Sequence, residues 1–375
     1  MTSRPILFVT RNFPPTQGGI ETFAAELARH GLSAGEPMVL VHVGQPVCDV
    51  PPSGLLAYHH LPGTGRWPAL LSAAFFLPWF CLRHRPRLIV NMQVTTGLGS
   101  MLARVLLGVP YIVLCMGLEV LPGGIPLWRA LRGSILRRAD HVISISRFTD
   151  SLVASFRVHQ GKRQVITPGT RLFPDINPTR DRKALFGAGS ETAFVVLSLS
   201  RLVPRKGIDK GIEAIALVAE KRPDILYCIA GSGPDLPRLR ELTAKKGVEK
   251  NVRFMGRIAE ADMGPCFARA DLFLLPSRSS IDPPDVEGFG IVFLEAGACG
   301  TPSLGGNSGG VPDAVLDGET GFLVDPEDPQ DIAEKILRLM EDRELLRRLG
   351  AKARAHSEDS TWEKACARYF SAIGP

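Results

Sequence analysis

No two of the seven cysteines, at positions 48, 81, 115, 228, 266, 299 and 366, stand at Cys-x-x-Cys spacing, and their number is odd. That argues against a disulfide framework and against a zinc site, and leaves reduced thiols of a cytosolic protein as the expectation. No histidine pair, carboxylate cluster or Asp-x-Asp supplies ligands for a divalent metal. Low-complexity tracts and internal repeats are missing as well. Arg4 and Pro5 lead directly into Ile-Leu-Phe-Val, which is too short for a signal peptide and is expected to form a first strand. The longest apolar stretch, Trp67 to Leu82, contains Pro68 and Pro78. It falls short of the roughly 20 residues that span a bilayer, so a buried or interfacial helix is expected there.

What is present is globular. The chain has 375 residues, 45% hydrophobic and 22% charged, enough for two domains that each bury a core. The net charge of +6 is unevenly spread: residues 1–180 hold 18 Lys+Arg against 8 Asp+Glu, and the remainder 26 against 30. Arg83, Arg85 and Arg87 follow the apolar stretch, and Arg129, Arg132, Arg137 and Arg138 recur along an expected helix. A basic half of this kind suits an anionic membrane surface or a phosphorylated acceptor, the alternative being an ordinary solvated face. Nucleic acid is not expected, because no binding motif or aromatic interleaving accompanies the charge.

Short runs of Val, Ile and Leu alternate with longer helical patterns, the signature of parallel sheets with crossover helices. Strands are expected at Ile6 to Thr10, Met38 to Val43, Arg87 to Asn91, Tyr111 to Cys115 and His141 to Ser144. A second set is expected at Phe194 to Ser198, Leu226 to Ala230, Val252 to Met255, Leu272 to Leu275 and Gly321 to Val324. Between the sets, Pro168 to Ala188 is rich in proline, glycine and charge and is expected to be the linker. The two α/β halves would face each other across a cleft at the C-terminal ends of their strands, where open parallel sheets bind ligands.

Several turns are candidates for that site. In Phe13-Pro-Pro-Thr-Gln-Gly18-Gly19-Ile20-Glu21 a diglycine at a strand-to-helix turn lets a diphosphate or sugar sit against the backbone, although many such turns are structural. In Ser200-Arg201-Leu-Val-Pro-Arg205-Lys206-Gly207 the cations Arg201 and Lys206 either neutralise a diphosphate together or belong to a solvated loop. Ala230-Gly231-Ser232-Gly233-Pro234 begins like a dinucleotide fingerprint, but Leu236 stands where the third glycine belongs, so a nicotinamide cofactor is rejected. Asn307 to Pro312 is expected as a ligand-facing turn and Asp317 to Val324 as a hairpin into a buried strand. In Asp285-Val-Glu287-Gly288-Phe289-Gly290-Ile291-Val-Phe-Leu-Glu295-Ala296 two glutamates flank a glycine-hinged helix start. Free amides there suit an anionic, hydroxyl-rich ligand such as a sugar nucleotide, and a capped helix with solvated acids is the bland alternative.

These motifs, in this order and together with Ile-Ser-Arg-Phe-Thr (145–149), Thr-Pro-Gly (167–169) and Ser-Gly-Gly-Val-Pro-Asp-Ala-Val (308–315), resemble the retaining GT-B glycosyltransferases of family 4. The resemblance spans nearly the whole chain and is strongest to the bacterial phosphatidylinositol mannosyltransferase branch. It implies an acceptor-binding Rossmann-like domain at 1–178, a nucleotide-sugar-binding one at 179–358, and a C-terminal helix, about 359–375 and around Trp362, that packs back on the first. By the same resemblance, Gly18 and Gly19 would lie against the donor, and Arg201 and Lys206 would bind the diphosphate. Glu287 would contact the sugar, Phe289, Gly290 and Ile291 would offer backbone amides, and Glu295 would hold the ribose; Gly231 sits in a turn near the nucleotide.

The implied reaction is transfer of a hexose, such as mannose, from a GDP- or UDP-sugar to a lipid-linked or polysaccharide-precursor acceptor. It would proceed with retention and without cofactor or metal, on the cytoplasmic membrane face. Family members carry His-Gly-x-Glu where this chain has Met116-Gly117-Leu118-Glu119, and methionine cannot accept a proton. Two other readings follow: a sugar-nucleotide 2-epimerase of the same architecture, and a degenerate relative that only binds nucleotide or membrane.

Overall fold

Branched and aliphatic runs flanked by glycine or polar residues become strands, and the computed structural model describes residues 4–14, 18–44, 53–63, 65–173, 181–281 and 284–374. The chain forms two units, one of Met1–Gly169 with Trp362–Pro375 and one of Thr170–Thr361. The boundary expected at 178/179 lies outside the described residues, as do Pro15, Thr16 and Gln17 of the diglycine motif and Cys48.

The first unit runs β1 (Ile6–Thr10), α1 (Gly19–Ser33), β2 (Met38–Gly44), β3 (Ala57–Pro62), α2 (Arg66–His84), β4 (Leu88–Asn91), α3 (Gly97–Leu107), β5 (Tyr111–Cys115), α4 (Pro126–Arg138), β6 (His141–Ser144), α5 (Arg147–Ala154) and β7 (Arg163–Val165). Its seven strands are parallel, in the order β3-β2-β1-β4-β5-β6-β7. Every residue of β1, β4 and β5 is buried, as expected of central strands covered by helices on both faces. β4 begins one residue later than expected, although Arg87 N still donates to Pro5 O at 2.9 Å, and the Arg87 guanidinium donates to Gly374 O and to Glu36 Oε2, each at 2.9 Å.

The second unit runs α6 (Arg182–Phe186), β8 (Phe194–Leu199), α7 (Ile208–Lys221), β9 (Ile225–Ala230), α8 (Leu236–Lys246), β10 (Val252–Gly256), α9 (Glu260–Arg269), β11 (Leu272–Leu275), the short antiparallel pair β12 (Ser280–Ile281) and β13 (Pro284–Asp285), α10 (Ile291–Ala298), β14 (Ser303–Gly306), α11 (Val311–Ala314), β15 (Gly321–Val324), α12 (Pro329–Glu341) and α13 (Arg343–Asp359). Six of these strands form a parallel sheet in the order β10-β9-β8-β11-β14-β15. The stretch Asp317 to Val324 is therefore not a hairpin: a tight turn closed by Gly318 N donating to Gly321 O at 2.8 Å feeds β15, which pairs in parallel with β14.

The last helix, α14 (Trp362–Ile373), belongs to the first unit. Its ring of Trp362 stacks on Phe23 of α1 at 5.7 Å, and Tyr369 meets the same ring at 5.2 Å. Burying each of these aromatic rings contributes about 2–3 kcal/mol to the unit.

The first unit's basic surface is smaller than its composition implies. Arg132 is buried between the rings of Trp128 and Phe156 and donates to three carbonyl oxygens, those of Glu119, Leu121 and Gly123. It organises the loop after β5 and is not a surface cation. The described cysteines are free thiols.

Candidate active site

In the second unit β9 and β10 extend the sheet to one side of β8, while β11 returns on its other side. The sheet therefore switches direction between β8 and β11, and the loops leaving the C-terminal ends of these two strands part there to leave a crevice. Gly207 ends the first loop with φ of 68°, and a Cβ on it would lie 1.9 Å from Pro276 O in the second. Arg278 N donates to Arg205 O at 2.9 Å. These contacts set the register of the two loops and bring Lys206 beside Glu287.

Lys206 Nζ donates to Glu287 Oε2, and Arg205 Nη1 donates to the same oxygen at 2.7 Å. Arg205 Nε also faces Asp285 Oδ1 at 3.0 Å. The side chains of Lys206 and Glu287 are only 13% and 15% exposed, so their charges interact with little screening. Burial alone would push the Glu287 carboxyl up, but the charges of Lys206 and Arg205 and their hydrogen bonds outweigh it and hold the group below its ordinary value. Arg205 was not singled out from sequence, although the run Pro-Arg-Lys-Gly carries it. Arg201 is not drawn into this cluster: it is exposed at the start of the loop, with no ion-pair partner among the described residues.

Gly290, with φ of 93°, lets the chain turn from Glu287 into α10; Gly288 lies outside the left-handed region and needs no such freedom. α10 is apolar except for Glu295, as suits a buried helix, and Gly297 is packed so closely on α13 that a Cβ would meet Ser357 Oγ at 2.6 Å. Phe293 N donates to Gly290 O at 3.0 Å, and the amides of Ile291 and Val292 before it have no carbonyl partner within the helix. The Phe289 side chain is buried, which leaves its backbone as the part able to meet a ligand.

Glu295 lies one turn along α10, with Arg171 Nε 3.4 Å from its Oε1. Burial raises its carboxyl despite Arg171, and Glu260 adds to the rise. Arg171 stands 124 positions away in sequence, so no local signal connects it to Glu295.

The remaining glycine turns support this frame. Gly310 N donates to Glu287 O at 2.8 Å, and a Cβ on Gly309 would stand 2.5 Å from that oxygen. The turn at Asn307 to Pro312 thus holds the glutamate's backbone. Gly231 presses on the loop after β8, where a Cβ would fall 1.8 Å from Ser200 O.

The first unit has its own switch point between β1 and β4. Gln93 Nε2 donates to Asn12 Oδ1 at 2.5 Å, and Asn12 Nδ2 donates to Glu21 Oε1 at 2.6 Å. This chain braces the start of α1, whose first residue is Gly19; a Cβ on Gly18 would meet Glu21 Oε2 at 2.4 Å.

After β5, Met116 is 4% exposed, and its N–H donates to Glu119 Oε1 at 2.6 Å. Burial pushes the Glu119 carboxyl up to about 7, against the pull of that hydrogen bond and of Arg132. A carboxyl raised in the folded state favours the protonated form, so it costs no stability below its ordinary value near 4.5 and its full cost above about 7. Glu119→Gln is accordingly expected to gain on the wild type as pH rises through that window, by at most about 3 kcal/mol. Thermal unfolding of both proteins from pH 4 to 8 checks this, and parallel curves would refute it.

Two Rossmann-like parallel sheets, one with a lysine, an arginine and a glutamate locked together at its switch point, define an α/β protein of the GT-B class. Residues 182–356 match the family described as Glycosyl transferases group 1, and residues 18–169 match a Glycosyl transferase 4-like domain. The chain belongs to this family, the GT-B glycosyltransferases of family 4, and is an enzyme of the transferase type; the epimerase reading is set aside.

It is 33% identical to the GDP-mannose-dependent alpha-(1-6)-phosphatidylinositol monomannoside mannosyltransferase of Mycolicibacterium smegmatis, over 96% of this chain and 94% of that protein. It is 32% identical to a D-inositol 3-phosphate glycosyltransferase of Streptomyces avermitilis, over 62% of this chain and 51% of that one. Among solved structures, Anabaena Alr3699/HepE in complex with UDP superimposes with a TM-score of 0.81 at 20% identity, covering 98% of this chain and 99% of the other. Among the described residues no group of three or more His, Cys, Asp or Glu could hold a metal ion.

Proposed function

We propose that the chain transfers mannose from GDP-mannose to a phosphatidylinositol-type lipid acceptor, with retention and without a metal, as a peripheral protein on the cytoplasmic membrane face. The observation that carries the site is the Lys206–Glu287–Arg205 cluster at the switch point beside the start of α10. Lys206, joined by Arg201 from the same loop, takes up the charge that develops on the departing diphosphate. Glu287 holds the hydroxyls of the transferred sugar, and the amides at Phe289, Gly290 and Ile291 face sugar or phosphate. Glu295 accepts the ribose hydroxyls, with Gly231 in the turn near the nucleotide, and Gly18 and Gly19 present backbone to the donor.

Donor and acceptor are taken from the Mycolicibacterium relative, which is a GDP-mannose-dependent phosphatidylinositol monomannoside mannosyltransferase. Met116 stands where a histidine is expected and favours one other reading, a relative that binds donor without turning it over. A panel of GDP- and UDP-hexoses with a phosphatidylinositol acceptor separates the two. Release of GDP and mannosylation of the lipid are expected with GDP-mannose; turnover confined to UDP-sugars would overturn the donor, and no nucleoside diphosphate from any donor would support the non-catalytic reading.

A further inference from the structure

Glu295 is the one polar side chain of α10, and it is only 17% exposed. An acid so placed is disfavoured as an anion unless a cation stands beside it. Burial and the carboxylate of Glu260 both raise it, and Arg171 is the cation that opposes them. A ribose diol presents two O–H donors, which an ionised carboxylate receives on two acceptor oxygens, whereas a protonated carboxyl puts a donor of its own in the way. The capacity of Glu295 to hold ribose therefore depends on Arg171.

Arg171 is placed to supply charge without taking up the acceptor oxygens. Its Nε stands 3.4 Å from Glu295 Oε1, beyond an ordinary N–H···O bond, and that nitrogen forms no hydrogen bond. The other nitrogens are tied to the first turn of α9: Nη1 donates to Glu260 Oε1, and Nη2 donates to Met263 Sδ at 3.1 Å. The guanidinium also lies 4.9 Å from the centre of the Phe173 ring. Its ion pair with Glu260 alone is worth little, because that glutamate is 81% exposed; the contact serves to aim the group. Both backbones are fastened to one short span at the end of α13. Thr170 N donates to Ser360 O at 2.8 Å and Thr170 bridges Thr361, while Ser357 Oγ donates to Leu294 O at 2.8 Å. The residues just before Arg171 and Glu295 are thus anchored three positions apart, which fixes the distance between the two side chains' attachment points.

We infer that Arg171 is a positioning residue of the nucleotide site: its guanidinium holds the Glu295 carboxylate in place, by charge rather than by occupying its oxygens, to accept the ribose hydroxyls. The inference rests on the reading of Glu295 as the ribose acceptor.

The experiment is calorimetric titration of the full chain with GDP and with 2′,3′-dideoxy-GDP, and likewise with UDP and 2′,3′-dideoxy-UDP. The base that the wild type binds more tightly carries the comparison. The wild type is expected to prefer the hydroxylated nucleotide by about tenfold or more. Arg171→Met keeps an unbranched stem beside Phe173 but removes the charge, and is expected to bring that preference below about threefold while the dideoxy nucleotide binds as before. Arg171→Lys restores a cation and is expected to keep a preference of about fivefold or more. Glu295→Gln should abolish the preference, and adding Arg171→Met to it should change nothing further, since the two groups act through one contact. Thermal unfolding checks each variant's fold, and Arg171→Gln replaces the methionine variant if that one melts early. A preference unchanged in Arg171→Met, or an equal loss of affinity for both nucleotides, overturns the inference and leaves the ribose role of Glu295 standing. A preference that survives Glu295→Gln overturns the ribose reading and the inference with it, as does failure of the wild type to bind either base.

Discussion

Glu287→Gln is expected to lower kcat by on the order of 1000-fold while the protein stays folded. The glutamate holds two cations at once and is itself kept ionised by them. Glutamine keeps the shape and an acceptor oxygen but leaves Lys206 and Arg205 facing a neutral group. Their excess charge then tightens any hold on the donor diphosphate, so KM for donor should fall or stay level as kcat collapses. Steady-state kinetics with GDP-mannose, alongside circular dichroism to confirm the fold, reads both effects. A loss in kcat of less than tenfold would remove Glu287 from the reacting centre.

Lys206→Met should be the next most damaging change, with kcat/KM down roughly 100-fold or more, because the ammonium proposed to take up the charge of the departing diphosphate cannot be replaced by a thioether. Its coupling to Glu287 makes a sharper test. The two groups share one contact, so the double variant with Glu287→Gln should lose far less than the product of the single losses. Fully multiplicative losses would mean that the pair acts as two separate groups. Stability responds in a definite direction too. The carboxyl of Glu287 lies below its ordinary value when folded, so its contribution is present above that value and fades as pH falls through the folded one. Removing Lys206 should therefore shrink the stability difference between neutral and acid pH.

The central strands were legible because each is a buried aliphatic run, and β1, β5, β6, β11 and β15 begin and end where the sequence pattern puts them. The missed elements had physical reasons to hide. β3, Ala-Tyr-His-His-Leu-Pro, is an edge strand that is only half buried, and β7 is three residues long. β14 is Ser-Leu-Gly-Gly, which strand propensity would reject. Its glycines are there because Val311 would stand 2.7 Å from a Cβ on Gly305, and Ser277 O 2.2 Å from one on Gly306.

The site shows the same divide. Lys206 and Glu287 were visible as motif residues, whereas the roles of Arg205, Arg171 and Arg132 depend on partners far along the chain or on carbonyl oxygens that no side chain announces. Composition could count Arg132 only as a charge. Its structural work is to pin the loop that carries Met116 and Glu119.

The pairing of α14 with α1 also constrains how the protein can be made. During synthesis α1 is made before the second unit, but the helix that stacks on Phe23 is made only after the whole of Thr170–Thr361. The first unit must therefore wait, one helix short and with an aromatic face uncovered, while the second is translated. A chaperone that shields the α1 face would have its window of action in that interval, and the window closes when Trp362 and Tyr369 arrive.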